Sequence, residues 1–140
     1  MKGRVLIAAG SDSGGGAGIQ ADIKAVTALD AFAMTAITAL TAQNTQGVSH
    51  ISPVPPAFVG AQIDTLFADV RIDAVKIGMI GSAETAHAVA DELEVGPDQP
   101  LGLAAVGVAG TDGGVVGGDL GGQGIAQGIA GQALGHADRA

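Results

Sequence analysis

Residues 4–9 read Arg-Val-Leu-Ile-Ala-Ala and lead straight into Gly10-Ser11-Asp12-Ser13-Gly14-Gly15-Gly16-Ala17-Gly18. No other stretch limits the fold of this chain as tightly. A short apolar run that ends in a glycine cluster is a buried strand entering a loop. Ile19, Ile23, Val26 and Leu29 then recur at helical spacing, which predicts an amphipathic helix over residues 19–29. Strand, glycine loop and helix in this order bring backbone amides and a helix amino end to one place, where they can approach a ligand closely.

The same alternation continues downstream. Residues 33–41 (AMTAITALT) predict a second strand, with a polar loop over 43–47 at its end. Pro53, Pro55 and Pro56 are expected to prevent regular structure just before a second helix, which carries Val59, Ile63, Leu66 and Phe67 on one face. Residues 73–78 predict a third strand. Ser82 is placed to cap a third helix, with Glu84 near its amino end and Val89 and Leu93 on its buried face. The order β-loop-α-β-loop-α-β-α points to an α/β fold, a mainly parallel sheet with flanking helices. Ligands of such sheets sit beyond the carboxyl ends of the strands. Segments 10–18, 42–47 and 79–81 occupy that position.

Composition narrows the function classes. A chain of 140 residues fits one domain. Its net charge of −8, with only six Lys and Arg, gives no electrostatic footprint for nucleic acid or an anionic membrane. Phosphorylated small molecules stay possible, because backbone amides bind phosphate without net positive charge. The absence of Cys rules out disulfides, thiol nucleophiles and zinc thiolate sites. No apolar run reaches the ~20 residues of a membrane span. Met1–Leu6 does not read as a secretory leader, so a cytoplasmic location is expected.

From residue 96 the character changes. Residues 96–140 hold 14 of the 24 glycines. Glycine costs up to ~1 kcal/mol per helical position relative to Ala, so this stretch is expected to be a Gly/Ala-rich irregular tail. Only Thr111, Ile125 and Ile129 in it require a codon beginning with A or T, against 31 such residues in 1–95. That skew is what a GC-rich gene gives when read out of frame. A frameshift near codons 95–101 is therefore one expectation for the tail, and a natural linker is the other.

Taken singly, the motifs are weak. Gly16-Ala17-Gly18-Ile19-Gln20-Ala21 matches a loose dinucleotide pattern, but the preceding strand ends too early and no ribose-binding acid closes a second strand. No Gly-Lys-Ser/Thr follows the loop, so there is no P-loop. Asp12 suits a turn-stabilising role within a glycine loop. Gln43 and Asn44 suit a turn, and Met79 suits core packing. Lys76 either reaches outward or pairs with Asp73. Asp22 reads as a structural acid early in the first helix. His50, His87 and His136 share no metal-ligand spacing.

Taken together, four blocks are specific. GSDSGGGAGIQADIK (10–24), TAITALTAQNTQGV (35–48), PPAFVGAQID (55–64) and DAVKIGMIGS (73–82) closely resemble hydroxymethylpyrimidine/phosphomethylpyrimidine kinases, ribokinase-fold enzymes of thiamine biosynthesis related to pyridoxal kinases. The resemblance covers residues 3 to about 95 and is not seen over 102–140. It implies an incomplete ribokinase-like sheet in residues 1–95, followed by the tail over 96–140. It implies ATP- and Mg²⁺-dependent phosphorylation of 4-amino-5-hydroxymethyl-2-methylpyrimidine and of its monophosphate. It places Gly10, Asp12, Ala17, Thr41, Gln43 and Met79 around the pyrimidine. Gln43 would hydrogen-bond the aminopyrimidine edge, since an amide offers both donor and acceptor. Met79 would pack on the ring as an adaptable apolar wall. Family members are usually homo-oligomeric.

The family's Leu-Asp-Pro-Val-Met-like, Asn-Leu-Pro-Glu-like and Gly-Thr-Gly-Cys-like segments have no counterpart here; the first is replaced by Leu101-Gly102-Leu103-Ala104-Ala105. A truncated chain with negligible kinase activity and marginal stability is expected from that, and no catalytic or metal-binding residue is assigned. Two alternatives remain: a pyridoxal or pyridoxine kinase relative, and a non-catalytic binding module built on the glycine loop.

Overall fold

A computed structural model of the chain describes residues 1–95 and 102–106. In chain order the elements are β1 (Arg4–Ala9), α1 (Gly18–Ala28), β2 (Phe32–Ile37), β3 (Ala39–Asn44), β4 (Gly47–Pro53), α2 (Pro56–Asp69), β5 (Ala74–Ile77), α3 (Ala83–Val95) and β6 (Gly102–Val106). β2, β1, β5 and β6 form one parallel sheet in that order, and β3 and β4 form a separate antiparallel pair.

β1 is central, and its alternating side chains serve two cores. Leu6 and Ala8 face α2 and α3, where they join Val59, Ile63, Val75, Ile77, Val89 and Leu93. Ile7 and Ala9 face α1, where they meet Ile19 and Val26. Burial on both faces explains why residues 5–9 are apolar without a polar alternation. Each fully buried aliphatic side chain here contributes roughly 1.5–3 kcal/mol from area removed from water. Ser82 caps α3 as expected: its hydroxyl accepts the Thr85 amide at 3.1 Å.

The single strand expected over 33–41 is two strands in two sheets. Gln62 of α2 covers the outer edge of β2 at the break: its Oε1 accepts the Ile37 amide at 2.9 Å and its Nε2 donates to the Ile37 carbonyl at 3.1 Å. The side chain thus takes up the Ile37 groups that face away from β1 and would otherwise be open to a further strand. Thr38, 1% exposed, then bonds Ala9 and Val54 through its backbone, and the chain leaves the parallel sheet. The expected loop over 43–47 is part of a hairpin. Asn44 Oδ1 accepts the amides of Gln46 and Gly47, a local turn that reverses β3 into β4. The prolines do not abolish structure here: Pro53 is the last residue of β4, and Pro56 is the first of α2, where its missing N–H costs nothing.

β6 corrects the expectation that regular structure ends near residue 95. It pairs with β5, Ala74 opposite Gly102 and Val75 opposite Leu103, with a register shift before Ile77 opposite Val106. The glycine average over the tail conceals a local Leu-Ala-Ala-Val run, and the exposed edge of β5 supplies the ladder that such a run needs. Apart from β6, the expectations for 96–140, the frameshift included, fall outside the described residues. Among the described residues no helix is long and apolar enough to cross a membrane.

β1 is followed on one side by β2, and the chain then returns to place β5 on the other side. The strand order reverses between the carboxyl ends of β1 and β5, and a crevice opens at such a reversal. The glycine loop and the segment after β5 flank it.

Candidate functional site

The glycine loop is built around Asp12. This carboxylate is 5% exposed. Its Oδ1 accepts the Gly14 amide at 2.7 Å, and its Oδ2 accepts the amides of Gly16 and Ala17 at 3.0 and 2.8 Å. Burial pushes the Asp12 carboxyl up, but the amides of Gly14, Ala17, Gly16 and Gly15 outweigh it and hold the carboxyl below the usual aspartate range. Asp12 also takes up donors at the start of α1, whose cap residue Ala17 has no side-chain oxygen to offer. Gln20 secures the same loop from α1: its Oε1 accepts the Asp12 amide at 2.7 Å and its Nε2 donates to Ser11 Oγ at 2.8 Å. Gly18 sits at φ 57°, and a Cβ there would run into the Gly10 carbonyl.

The loop is stitched to β3. The Ser11 amide donates to the Ala39 carbonyl at 2.9 Å. The Thr41 hydroxyl donates to the Ser11 carbonyl at 2.7 Å. Ser13 Oγ accepts the Gln43 amide and donates to the Gln43 carbonyl, both at 2.7 Å. Gln43 Oε1 lies 3.3 Å from the Thr41 hydroxyl. This clasp sets Thr41 and Gln43 on the hairpin, not at the end of a strand of the parallel sheet.

Opposite the hairpin, Met79 follows β5. Thr38 Oγ1 donates to its carbonyl at 2.7 Å. The Met79 side chain reaches Gly10, where an added Cβ would lie 2.5 Å from Met79 Cε. The crevice between these parts has a volume of about 280 Å³. Gly10, Asp12, Ala17, Thr41, Gln43 and Met79 all line it, so the six residues singled out in the sequence converge on one cavity. Its lining also includes Ser11, Gly18, Val48, Ile51 and Lys76. Val48 and Ile51 went unnoticed because β4 itself did, and no sequence signal marks them.

Two charged residues differ from their sequence reading. Lys76 pairs with Asp22, Nζ to Oδ2 at 2.6 Å, and not with Asp73. Asp22 accordingly lies one turn into α1, beyond the first turn, and reaches the sheet. Asp73 is taken by Arg4 and Arg71 at the opposite end of the sheet, with N···O distances of 3.1 Å to each side chain. The Arg4 hydrogen bonds hold the Asp73 carboxyl below its usual range. His50 and His87 are exposed; among the described residues no three His, Asp or Glu side chains are grouped to hold a metal ion.

Known proteins share this architecture. The hydroxymethylpyrimidine/phosphomethylpyrimidine kinase of Escherichia coli is 52% identical over 89 residues, which cover 64% of this chain and 34% of that protein. The crystal structure of phosphomethylpyrimidine kinase from Clostridium difficile matches with a TM-score of 0.67 at 41% identity, over 73% of this chain and 44% of that one. The pyridoxal kinase of Staphylococcus aureus, solved in complex with AMP-PCP and pyridoxal, matches with a TM-score of 0.63 at 32% identity, over 74% of this chain and 39% of that one. The chain thus spans about a third of the length of the curated kinase. A model of the family described as phosphomethylpyrimidine kinase matches residues 12–119. That match runs on to residue 119, past residue 102, where the likeness was expected to be lost. On this match the chain belongs to the phosphomethylpyrimidine kinase family.

Proposed function

We propose that the crevice binds 4-amino-5-hydroxymethyl-2-methylpyrimidine and its monophosphate, and that the chain forms the acceptor-substrate side of an ATP-dependent kinase. The observation that carries this reading is the convergence of Gly10, Asp12, Ala17, Thr41, Gln43 and Met79 on one cavity at the strand-order reversal. Gln43 offers its side-chain amide to the aminopyrimidine edge. Met79 supplies a polarizable wall for the ring. Gly10 lets the ring approach the backbone. Asp12 acts at one remove, since its oxygens are committed to loop amides. It shapes the loop that touches the ligand.

ATP and Mg²⁺ are the co-substrate and cation that family membership implies. The described residues offer no grouped acidic donors for the cation, so no step through it is assigned to them. Phosphoryl transfer depends on positioning and on charge stabilisation around the moving phosphoryl group. The segments that supply these in the family have no counterpart in this sequence. The 140-residue chain is accordingly expected to bind the pyrimidine and to turn over negligibly.

Pyridoxal is the second reading, favoured by the likeness to the S. aureus enzyme. Calorimetric titration of the chain with hydroxymethylpyrimidine and with pyridoxal separates the two. Tighter binding of the pyrimidine, weakened by Gln43→Ala, is the expected result. Binding of neither ligand, or a Gln43→Ala variant that binds as the parent does, would overturn the reading. A coupled ATP-consumption assay on the same protein tests the turnover expectation; a rate near ~1 s⁻¹ would refute it.

A further inference from the structure

The Lys76–Asp22 pair is not explained by the packing of the sheet. Lys76 lies opposite the fully buried Ile7 in the β1–β5 register. Its side chain and that of Asp22 are 28% and 21% exposed. Partial burial of two charges carries a desolvation cost that an apolar pair of similar size would avoid. Tethering α1 to the sheet therefore does not call for this chemistry.

Two further observations point toward the cavity. Lys76 lines it, and Asp22 does not. Space beside the ammonium is tight: an added Cβ at Gly78, the residue after β5, would lie 2.7 Å from Ala9 Cβ and 3.0 Å from Lys76 Nζ. Gly78 does not have a positive φ, so its lack of a side chain serves space, for Ala9 first and for the Lys76 ammonium next. An ammonium has three donors, and among the described residues Asp22 is the only hydrogen-bond partner of this one. The other ionised group of the lining, Asp12, has both carboxylate oxygens engaged by loop amides.

We propose that Lys76 is the anion-binding group of the crevice, with Asp22 as its resident counter-ion. A neutral pyrimidine leaves the pair closed. A phosphoryl group carried by the ligand engages the remaining Nζ donors and competes with Asp22 for the charge. Lys76 would thereby separate the phosphomonoester from the alcohol in one pocket. This rests on the pyrimidine reading above.

The test measures the affinity ratio of the phosphomonoester to the alcohol on the full 140-residue chain. Lys76→Met is expected to lower the ratio roughly tenfold, the scale of a lost charge-assisted hydrogen bond. Asp22→Asn is expected to raise it, because the competing anion is gone. A purely structural pair would move both variants the same way or neither, and either result overturns the proposal. Isotope-labelled chain gives a second readout. The phosphomonoester should shift the Lys76 side-chain resonances more than the alcohol does, and inorganic phosphate alone should shift them at millimolar concentration. Alcohol binding with Lys76 unmoved by either phosphate sinks this proposal and spares the pyrimidine reading. Phosphate shifting Lys76 while the alcohol fails to bind does the reverse. Lys76 unmoved and no alcohol bound sinks both.

Discussion

The Thr38 hydroxyl donates a 2.7 Å hydrogen bond to the Met79 carbonyl across 41 residues of sequence, and so joins the end of β2 to the segment after β5. Thr38 is also the residue at which the chain leaves the parallel sheet for the hairpin. One residue therefore touches both walls of the crevice, the Met79 segment through its side chain and the start of the hairpin through its backbone. Thr38→Val keeps the branched shape and removes the donor. It leaves a carbonyl unpaired beside a site that is 1% exposed, which costs roughly 1–3 kcal/mol. Urea titration should show a loss in that range, accompanied by weaker pyrimidine binding as Met79 is released. A loss under about 0.5 kcal/mol, the usual size of a surface substitution, would show that the bond is not what holds Met79.

Acid should destabilise the fold through Asp12 and Asp73. Both carboxyls lie below their usual range, Asp12 because loop amides outweigh its burial and Asp73 because of Arg4. A carboxyl with a lower pKa folded than unfolded binds fewer protons in the folded state. Its stabilisation is complete above pH ~4–5 and is lost as pH falls through the folded value. Thermal melts from pH 7 to 3 should show that loss below pH ~4. Asp73→Asn should make the acid limb shallower while lowering the melting temperature at neutral pH. An acid limb unchanged by both Asp73→Asn and Asp12→Asn would assign it to other groups.

How far these features could be read in advance depends on how local their causes are. β1, the glycine loop and α1 were legible because apolar runs, glycines and helical spacing act within a few residues. The hairpin was not. Its second strand is exposed throughout, neither strand alternates apolar and polar residues cleanly, and it is held by Ser13 to Gln43 and Thr41 to Ser11, each 30 residues apart. The residue that covers the β2 edge at Ile37, Gln62, stands 25 residues onward. The partner of Lys76 is 54 residues away on another element, so the sequence offered only an outward reach or the nearby Asp73. β6 depends on an edge presented by β5. The cavity residues themselves came from resemblance in four blocks, and their convergence is a property of the fold.

Glu92 should act in the direction opposite to the two aspartates. It stands on α3 beside Gly60 of α2, where an added Cβ would lie 3.3 Å from its Oε1. Burial, together with the charges of Asp64 and Asp91, pushes its carboxyl up. A carboxyl raised by folding binds more protons in the folded state, so its penalty is absent in acid and appears as pH rises through the folded value. Glu92→Gln should therefore raise the melting temperature at pH 7, and the gain should vanish below pH ~4. A gain of equal size at both pH values would attribute the effect to packing instead of charge.

Gly10 and Met79 should couple energetically. An added Cβ at Gly10 would meet Met79 Cε at 2.5 Å, while the nearest backbone atom, the Ala39 carbonyl oxygen, stands off at 3.7 Å. The backbone at Gly10 can therefore accept alanine, and the flexible methionine tip must move into the space proposed for the pyrimidine. Gly10→Ala should weaken hydroxymethylpyrimidine binding roughly tenfold, which is about 1.4 kcal/mol, with little change in unfolding free energy. Met79→Ala should also weaken binding, by removing the wall. In the double variant the alanine at position 10 has nothing to displace, so its separate cost should largely disappear. A calorimetric double-mutant cycle should return a coupling energy of about 0.5–3 kcal/mol, the range for residues in contact. Strictly additive costs would mean that the two residues do not compete for the same volume, and Met79 would then not form the wall of the pyrimidine pocket.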